Sequence, residues 1–155
     1  MTTTIKNDLP FLHTVFDMWQ STINSSITSV PAIRYAMTWD PLPPAITSKT
    51  NSSILGLNAA DGPLVLVQLS VDYEESSNDA LITSVTSDLI NRINNAAKER
   101  GLHNDFVFLN YAVQGQDPLT GYGAENVEKL KAVSRKYDPD QVFLRQVPGG
   151  FKLFV

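Results

Sequence analysis

The sequence predicts an α+β fold: an antiparallel sheet with helices packed on one face, around a ferredoxin-like (split βαβ) core. Three observations predict it. Residues 9–25 and 79–100 carry apolar side chains at helical spacing. Residues 33–40, 64–73 and 106–113 are runs rich in β-formers. The order helix, strand, strand, helix, strand, helix suits one sheet layer and one helix layer. The whole chain, 1–155, reads as a single domain.

Each element has a local cause. Asp8 can cap the first helix, with Pro10 in its first turn. Phe11, Val15, Met18 and Thr22, with Leu12, Phe16, Trp19 and Ile23, give that helix a wide apolar face. The strand at 33–40 follows Pro31 and ends at Pro41, Pro43 and Pro44. Residues 45–62 are polar and glycine-containing and read as a long loop. The run 64–73 is the strongest strand in the chain. Ile82, Val85, Leu89, Ile93 and Ala96 stripe the next helix, and Gly101 stops it. A short amphipathic helix over 125–137 uses Val127, Leu130 and Val133 and ends at Asp138-Pro139.

Composition narrows the function classes. Apolar residues make up 43% and charged residues 18%, ordinary for a globular protein, and the net charge is −4 with no Lys/Arg run. That disfavours a nucleic-acid or anionic-membrane surface. Cysteine is absent, which removes disulfides, thiolate catalysis and Cys-ligated metals. The two histidines, His13 and His103, have no metal-ligand spacing, and each reads as a surface or satisfied histidine. No metal and no cofactor are expected. The N-terminus does not read as a signal peptide and no apolar run approaches membrane-spanning length, so a cytoplasmic protein is expected. Asn24-Ser-Ser and Asn51-Ser-Ser match glycosylation sequons, which matter only on secretion.

Strand alternation sorts the candidate site. Arg34, Ala36, Thr38 and Asp40 share one face of the first strand; Leu64, Leu66, Gln68, Ser70 and Asp72 share one face of the second. The Val65/Val67/Leu69/Val71 face is expected under the helices, and the Gln68/Ser70/Asp72 face is expected to be open. In the third strand Asn110 lies with Phe106 and Phe108. A sheet face mixing aromatics with a few hydrogen-bonding groups suits a small-molecule pocket. Asp40 reads either as a general acid or base or as the cap of the Pro-rich turn, and Asp72 either as a catalyst or as a solvated strand end beside Glu74 and Glu75. Gln68 and Asn110 read either as substrate-orienting amides or as partners of buried backbone. Thr38, Ser70, Phe108, Tyr111 and Tyr122 complete the candidate set.

The C-terminal third carries a family likeness. Phe108-Leu109-Asn110-Tyr111-Ala112, Gln116-Asp117-Pro118, Gly121-Tyr122-Gly123, Lys136-Tyr137-Asp138-Pro139 and Pro148-Gly149-Gly150-Phe151 come in one order and spacing. This resembles the closing segment of fungal FAD-linked oxidases of the berberine-bridge type, over roughly residues 30–155. In that family the residues matching Asn110, Tyr111 and Tyr122 lie near the flavin ring, a Gln or Glu precedes the matching Pro-Leu where Asp40 stands, and the flavin module lies upstream. The resemblance therefore implies the substrate-side half of such an enzyme.

The leading expectation is a flavin-independent enzyme of fungal secondary metabolism. It would fold a reactive polyketide- or terpenoid-like molecule into one conformer for cyclisation, Diels-Alder-type cycloaddition or isomerisation. Asp40, Asp72 and Tyr111 would be catalytic; Thr38, Gln68, Ser70, Phe108, Asn110 and Tyr122 would bind substrate. The alternatives are an FAD-linked oxidoreductase remnant or split subunit, and a non-catalytic ligand-binding or accessory protein. A homodimer is expected through the open sheet face and the last helix.

Overall fold

A computed structural model, which describes residues 1–50 and 54–154, gives the order β1 (Thr2–Lys6), α1 (Leu9–Ser26), β2 (Arg34–Leu42), α2 (Pro44–Thr47), β3 (Leu64–Asp72), α3 (Asp79–Glu99), β4 (His103–Asn104), α4 (Ala124–Tyr137) and α5 (Val142–Gln146). The sheet runs β2-β3-β1-β4 with every neighbouring pair antiparallel. This is the α+β, split βαβ arrangement expected from the sequence.

The helix layer forms for the reasons visible in the sequence. Asp8 accepts a hydrogen bond from the Phe11 N–H at 2.9 Å and caps α1, with Pro10 in the first turn. Phe11 and Val15 of α1 meet Leu89, Ile93 and Ala97 of α3 and Ile5, Val65, Val67 and Leu69 of the sheet. Each fully buried side chain of this size contributes about 1.5–3 kcal/mol of transfer free energy. A second cluster, Ile27, Val30 and Ile82, closes the far end against Tyr35 and Val71.

Two strand expectations are corrected. The first eight residues contain β1, an interior strand that the polar run Thr2-Thr3-Thr4 concealed. Those threonines are buried, β-branched side chains suit a pleated sheet, and the hydroxyls of Thr2 and Thr3 are bonded while that of Thr4 has no partner among the described residues. Thr2 Oγ1 donates to the Val67 carbonyl at 3.0 Å, and Thr3 bonds the Asn94 side chain of α3. The strand expected at 106–113 is instead a crossing segment. The Asn104 side chain takes the Phe106 N–H at 3.0 Å, and Leu109–Tyr111 coils into a 3-10 turn. The fourth strand is the short β4 just before it. The loop expected at 45–62 also contains α2 and a 3-10 turn at Ala59–Asp61 that Asn58 caps; residues 51–53, with the second sequon, lie outside the described residues.

The second sheet face is open only in part, which corrects the expectation for the lower half of β3. There Leu66 packs with Phe106 and Tyr122, with Leu42, Leu57, Phe108, Leu119 and Leu130 around them. The chain after β4 passes over the sheet, and Gly121 lies so close to the Asp105 carbonyl that a Cβ would sit 2.1 Å from its oxygen. Asp138 caps α5, accepting from the Val142 and Phe143 N–H groups at 2.7 and 3.0 Å. Phe143 is 72% exposed. Among the described residues no helix is long and apolar enough to cross a membrane.

Candidate functional site

The site lies beside the end of the β1–β3 ladder. Met1 and Leu69 exchange backbone bonds, with the Met1 amino group donating to the Leu69 carbonyl at 3.0 Å and the Leu69 N–H donating to the Met1 carbonyl at 2.8 Å. Beyond that pair β3 continues to Asp72 with β2 on one side and, among the described residues, no strand on the other. Antiparallel pairing turns alternate residues to the same neighbour. Since Leu69 turns its N–H and C=O toward β1, Val71 turns its own toward the open side.

That open side is a cleft of about 700 Å³. It is lined by Met1, by β3 and its end from Gln68 to Tyr73, by the segment from Asn110 to Gly115, and by Ile82, Thr83 and Thr86 of α3. Five of the sequence-selected residues thus converge: Gln68, Ser70, Asp72, Asn110 and Tyr111. Phe108 stands behind Tyr111, edge-on to its ring at a centroid distance of 4.8 Å. Tyr111 is held in place by that contact.

The other candidates lie elsewhere. Tyr122 is buried and stacked on Phe106 at 6.0 Å, and burial pushes its hydroxyl pKa upward. Its place is in the second-face core. Asp40 is half-buried and lies in register with Leu66, away from the cleft. Thr38 is opposite Gln68 in the sheet and does not line the cleft. Asp72 is exposed and forms an ion pair with Arg34 at 3.4 Å, its opposite residue on β2. Exposed pairs of this kind contribute about 0–1 kcal/mol.

Two further groups line the cleft, of which the sequence offers Tyr73 only as one of several tyrosines able to donate a hydrogen bond or stack on a ligand. Tyr73 lines it and donates its hydroxyl to Asp79 at 2.8 Å, and that carboxylate acceptor holds the phenol in its protonated form, raising its pKa. The only signal for this pair is a Tyr at a strand end six residues before an acidic helix start. Thr83 and Thr86 project from α3, where threonine reads as a filler of the helix stripe.

Sequence comparison bears on this site. The FAD-dependent monooxygenase FUP4 of Fusarium proliferatum is 39% identical over 106 residues, covering 68% of this chain. Several further relatives are named FAD-dependent monooxygenases, and one, from Diaporthe leptostromiformis and 37% identical over 145 residues, is named an oligopeptidase. The FAD-dependent monooxygenase CTB5 of Cercospora nicotianae is 35% identical over 150 residues, 94% of this chain. The bifunctional solanapyrone synthase of Alternaria solani is 42% identical over 97 residues, 63% of this chain. The chain spans 20%, 32% and 19% of these three relatives respectively. No family model matches it, and no solved structure matches it.

These names raise the question whether the described residues fit FAD. A helix N-terminus free of negative charge, with convergent backbone N–H groups, is one common cradle for a pyrophosphate. Here the three long helices start on carboxylates: Asp8 caps α1, Asp79 opens α3 and Glu125 lies in the first turn of α4. Asp8 already occupies its own helix terminus, and the other two repel an anion. The Pro148-Gly149-Gly150 turn is followed by no helix among the described residues. Among the described residues, none of the three long helices offers such a cradle for the pyrophosphate of FAD.

Proposed function

We propose that this chain is a substrate-handling unit of fungal secondary metabolism. In this reading it binds a reactive, polyketide- or terpenoid-like molecule in the β3–α3 cleft and promotes its cyclisation, cycloaddition or isomerisation. The observation that carries the reading is the convergence of Gln68, Ser70, Asn110 and Tyr111 on one cleft with an apolar flank at Ile82. Such a site holds a flexible molecule in one conformer, and amide and phenol donors polarise a carbonyl where charge develops. These reactions redistribute bonding electrons within one molecule and need no oxidant. The fungal relatives, one of them named a bifunctional synthase, support the metabolic setting. The likeness to berberine-bridge oxidases supports a substrate-side role.

The test uses the purified chain and a linear polyene bearing an enone. A faster appearance of cyclised product than in buffer, lost on heat denaturation, supports the reading. Tight binding with no turnover would make the chain a carrier instead.

The names of the relatives favour a second reading, in which the chain works beside a flavin-bearing unit. Purification in the presence of FAD followed by an absorption spectrum separates the two. A retained flavin band supports the second reading; a colourless, active protein supports the first.

A further inference from the structure

β2 is an edge strand whose outer side is unpaired among the described residues. The direction of its backbone groups follows from the β1–β3 pair already described. Leu69 faces β1, so by alternation Leu64, Leu66, Gln68, Ser70 and Asp72 face β2. Their partners Leu42, Asp40, Thr38, Ala36 and Arg34 therefore face inward. Tyr35, Met37, Trp39 and Pro41 turn their backbone outward. Pro41 has no N–H to offer, so the free edge ends there, as proline placement at sheet edges requires.

The edge is complementary to itself. Antiparallel pairing of two β2 strands about Met37 sets Arg34 opposite Asp40, Tyr35 opposite Trp39 and Ala36 opposite Thr38, since each pair of numbers sums to 74 as in the strand Arg34–Leu42. Charges of opposite sign meet at both ends. The outward residues Tyr35, Met37 and Trp39 each meet a residue that can return both backbone bonds. On the helix side, Trp39 borders an apolar groove with Leu9, Leu12, His13 and Phe16, and Leu9 is 66% and Phe16 42% exposed. Tyr35 of a second copy would arrive beside that groove. Between Tyr35 and Trp39 the edge carries neither lysine nor proline, and the charges that flank this stretch are matched in pairing with a second copy.

We propose that two copies of this chain associate through their β2 edges, antiparallel and centred on Met37, as an isologous dimer with one continuous sheet. The inference is independent of the reaction assigned to the cleft. It moves the dimer contact expected from the sequence off the open face, where part of the sheet is already covered, and onto the edge.

Cross-linking tests the register. The chain has no cysteine, and Ala36 and Thr38 are both exposed. Opposite residues of this non-hydrogen-bonded type have Cα atoms about 4.5 Å apart, within disulfide range. A mixture of A36C and T38C chains is expected to give a covalent dimer under mild oxidation, at least about tenfold more than A36C alone, whose thiols lie on a diagonal about 7–8 Å apart. Light scattering of the unmodified chain is expected to give a dimer mass. Asp40→Arg, which sets like charges opposite each other twice, is expected to weaken it on the order of tenfold with the circular dichroism spectrum unchanged. A monomeric wild-type chain overturns the proposal, as does a dimer that ignores Asp40→Arg and fails to cross-link in the mixture.

Discussion

The side-chain amide of Gln116 bonds both backbone groups of Thr2. Its Oε1 accepts the Thr2 N–H at 3.1 Å and its Nε2 donates to the Thr2 carbonyl at 2.7 Å. β4 is too short to reach Thr2, since its pairing with β1 stops at Thr4 opposite Asn104. One glutamine therefore serves as a peptide unit of the missing strand length. Thr2 is fully buried, so removing the amide leaves a buried donor and acceptor unpaired, at about 1–3 kcal/mol each. Gln116→Ala is expected to lower the urea midpoint by an amount equivalent to about 2 kcal/mol or more. Gln116→Glu retains an acceptor but turns a carboxylate toward the Thr2 carbonyl, and is expected to destabilise as well. An unchanged midpoint for both would show that water replaces the amide.

Gly121 makes a second requirement of the same covering segment. Any side chain there meets the Asp105 carbonyl oxygen and the Phe106 backbone, which are main-chain atoms that cannot rotate aside. Forced overpacking costs about 1–3 kcal/mol. Gly121→Ala is expected to loosen the cluster of Leu66, Phe106 and Tyr122 and to lower the thermal midpoint by several degrees. Gly123→Ala is the comparison: a Cβ there meets nothing within 4 Å, although the φ of 87° remains strained for alanine. Calorimetry showing Gly123→Ala as the worse variant would mean that backbone conformation, not the close approach, governs this turn.

These contacts mark where the sequence was legible and where it was not. α1, β2, β3, α3 and α4 follow from apolar spacing, caps and proline stops that act within a few residues. β1 was missed because its inward groups are threonines, whose burial depends on partners such as Val67 and Asn94 more than sixty residues away. The segment at 106–113 was read as a strand because Phe106 and Phe108 alternate as in a sheet, yet they pack onto the sheet face from above. At the site, Gln68, Ser70 and Asp72 could be grouped by alternation alone. Bringing Asn110 and Tyr111 to them, and leaving Asp40 and Tyr122 outside, depends on how the crossing segment lies, which no local pattern records.

His103 offers a pH readout. Its pKa lies below the usual imidazole value because burial disfavours the charged form and Lys98 adds repulsion, together outweighing the attraction of Asp105, whose carboxylate is 3.2 Å from Nε2. Nδ1 is buried with no hydrogen-bond partner among the described residues, so a proton added there has no acceptor. The unfolded chain binds a proton at His103 more readily than the folded one. The stability from neutral His103 is therefore present above the unfolded value of about 6.5 and is lost as pH falls through the lower folded value. His103→Gln is expected to flatten the loss of stability between neutral pH and pH about 5. Denaturant melts across that range that stay parallel for the two proteins would show that His103 does not contribute.

The cleft makes the most direct prediction about chemistry. If a carbonyl of the substrate is polarised there, Tyr111, held by Phe108, and the Asn110 amide are the candidate donors, with Gln68 as a binding contact. Loss of one well-placed donor to developing charge costs about 10²–10³-fold in kcat. Tyr111→Phe is expected to lower kcat for enone cyclisation toward that range with KM little changed. Phe108→Ala is expected to follow it partway, through loss of positioning. Gln68→Leu acts on binding and is expected to raise KM. Asp72→Asn is the contrasting variant, because Asp72 is exposed and paired to Arg34, and its effect on kcat is expected to stay under about tenfold, the scale of 1.4 kcal/mol. A collapse of turnover in Asp72→Asn with full activity in Tyr111→Phe would reverse the assignment. The carboxylate would then be the acid or base, with Arg34 setting its charge, and the phenol no more than part of the wall.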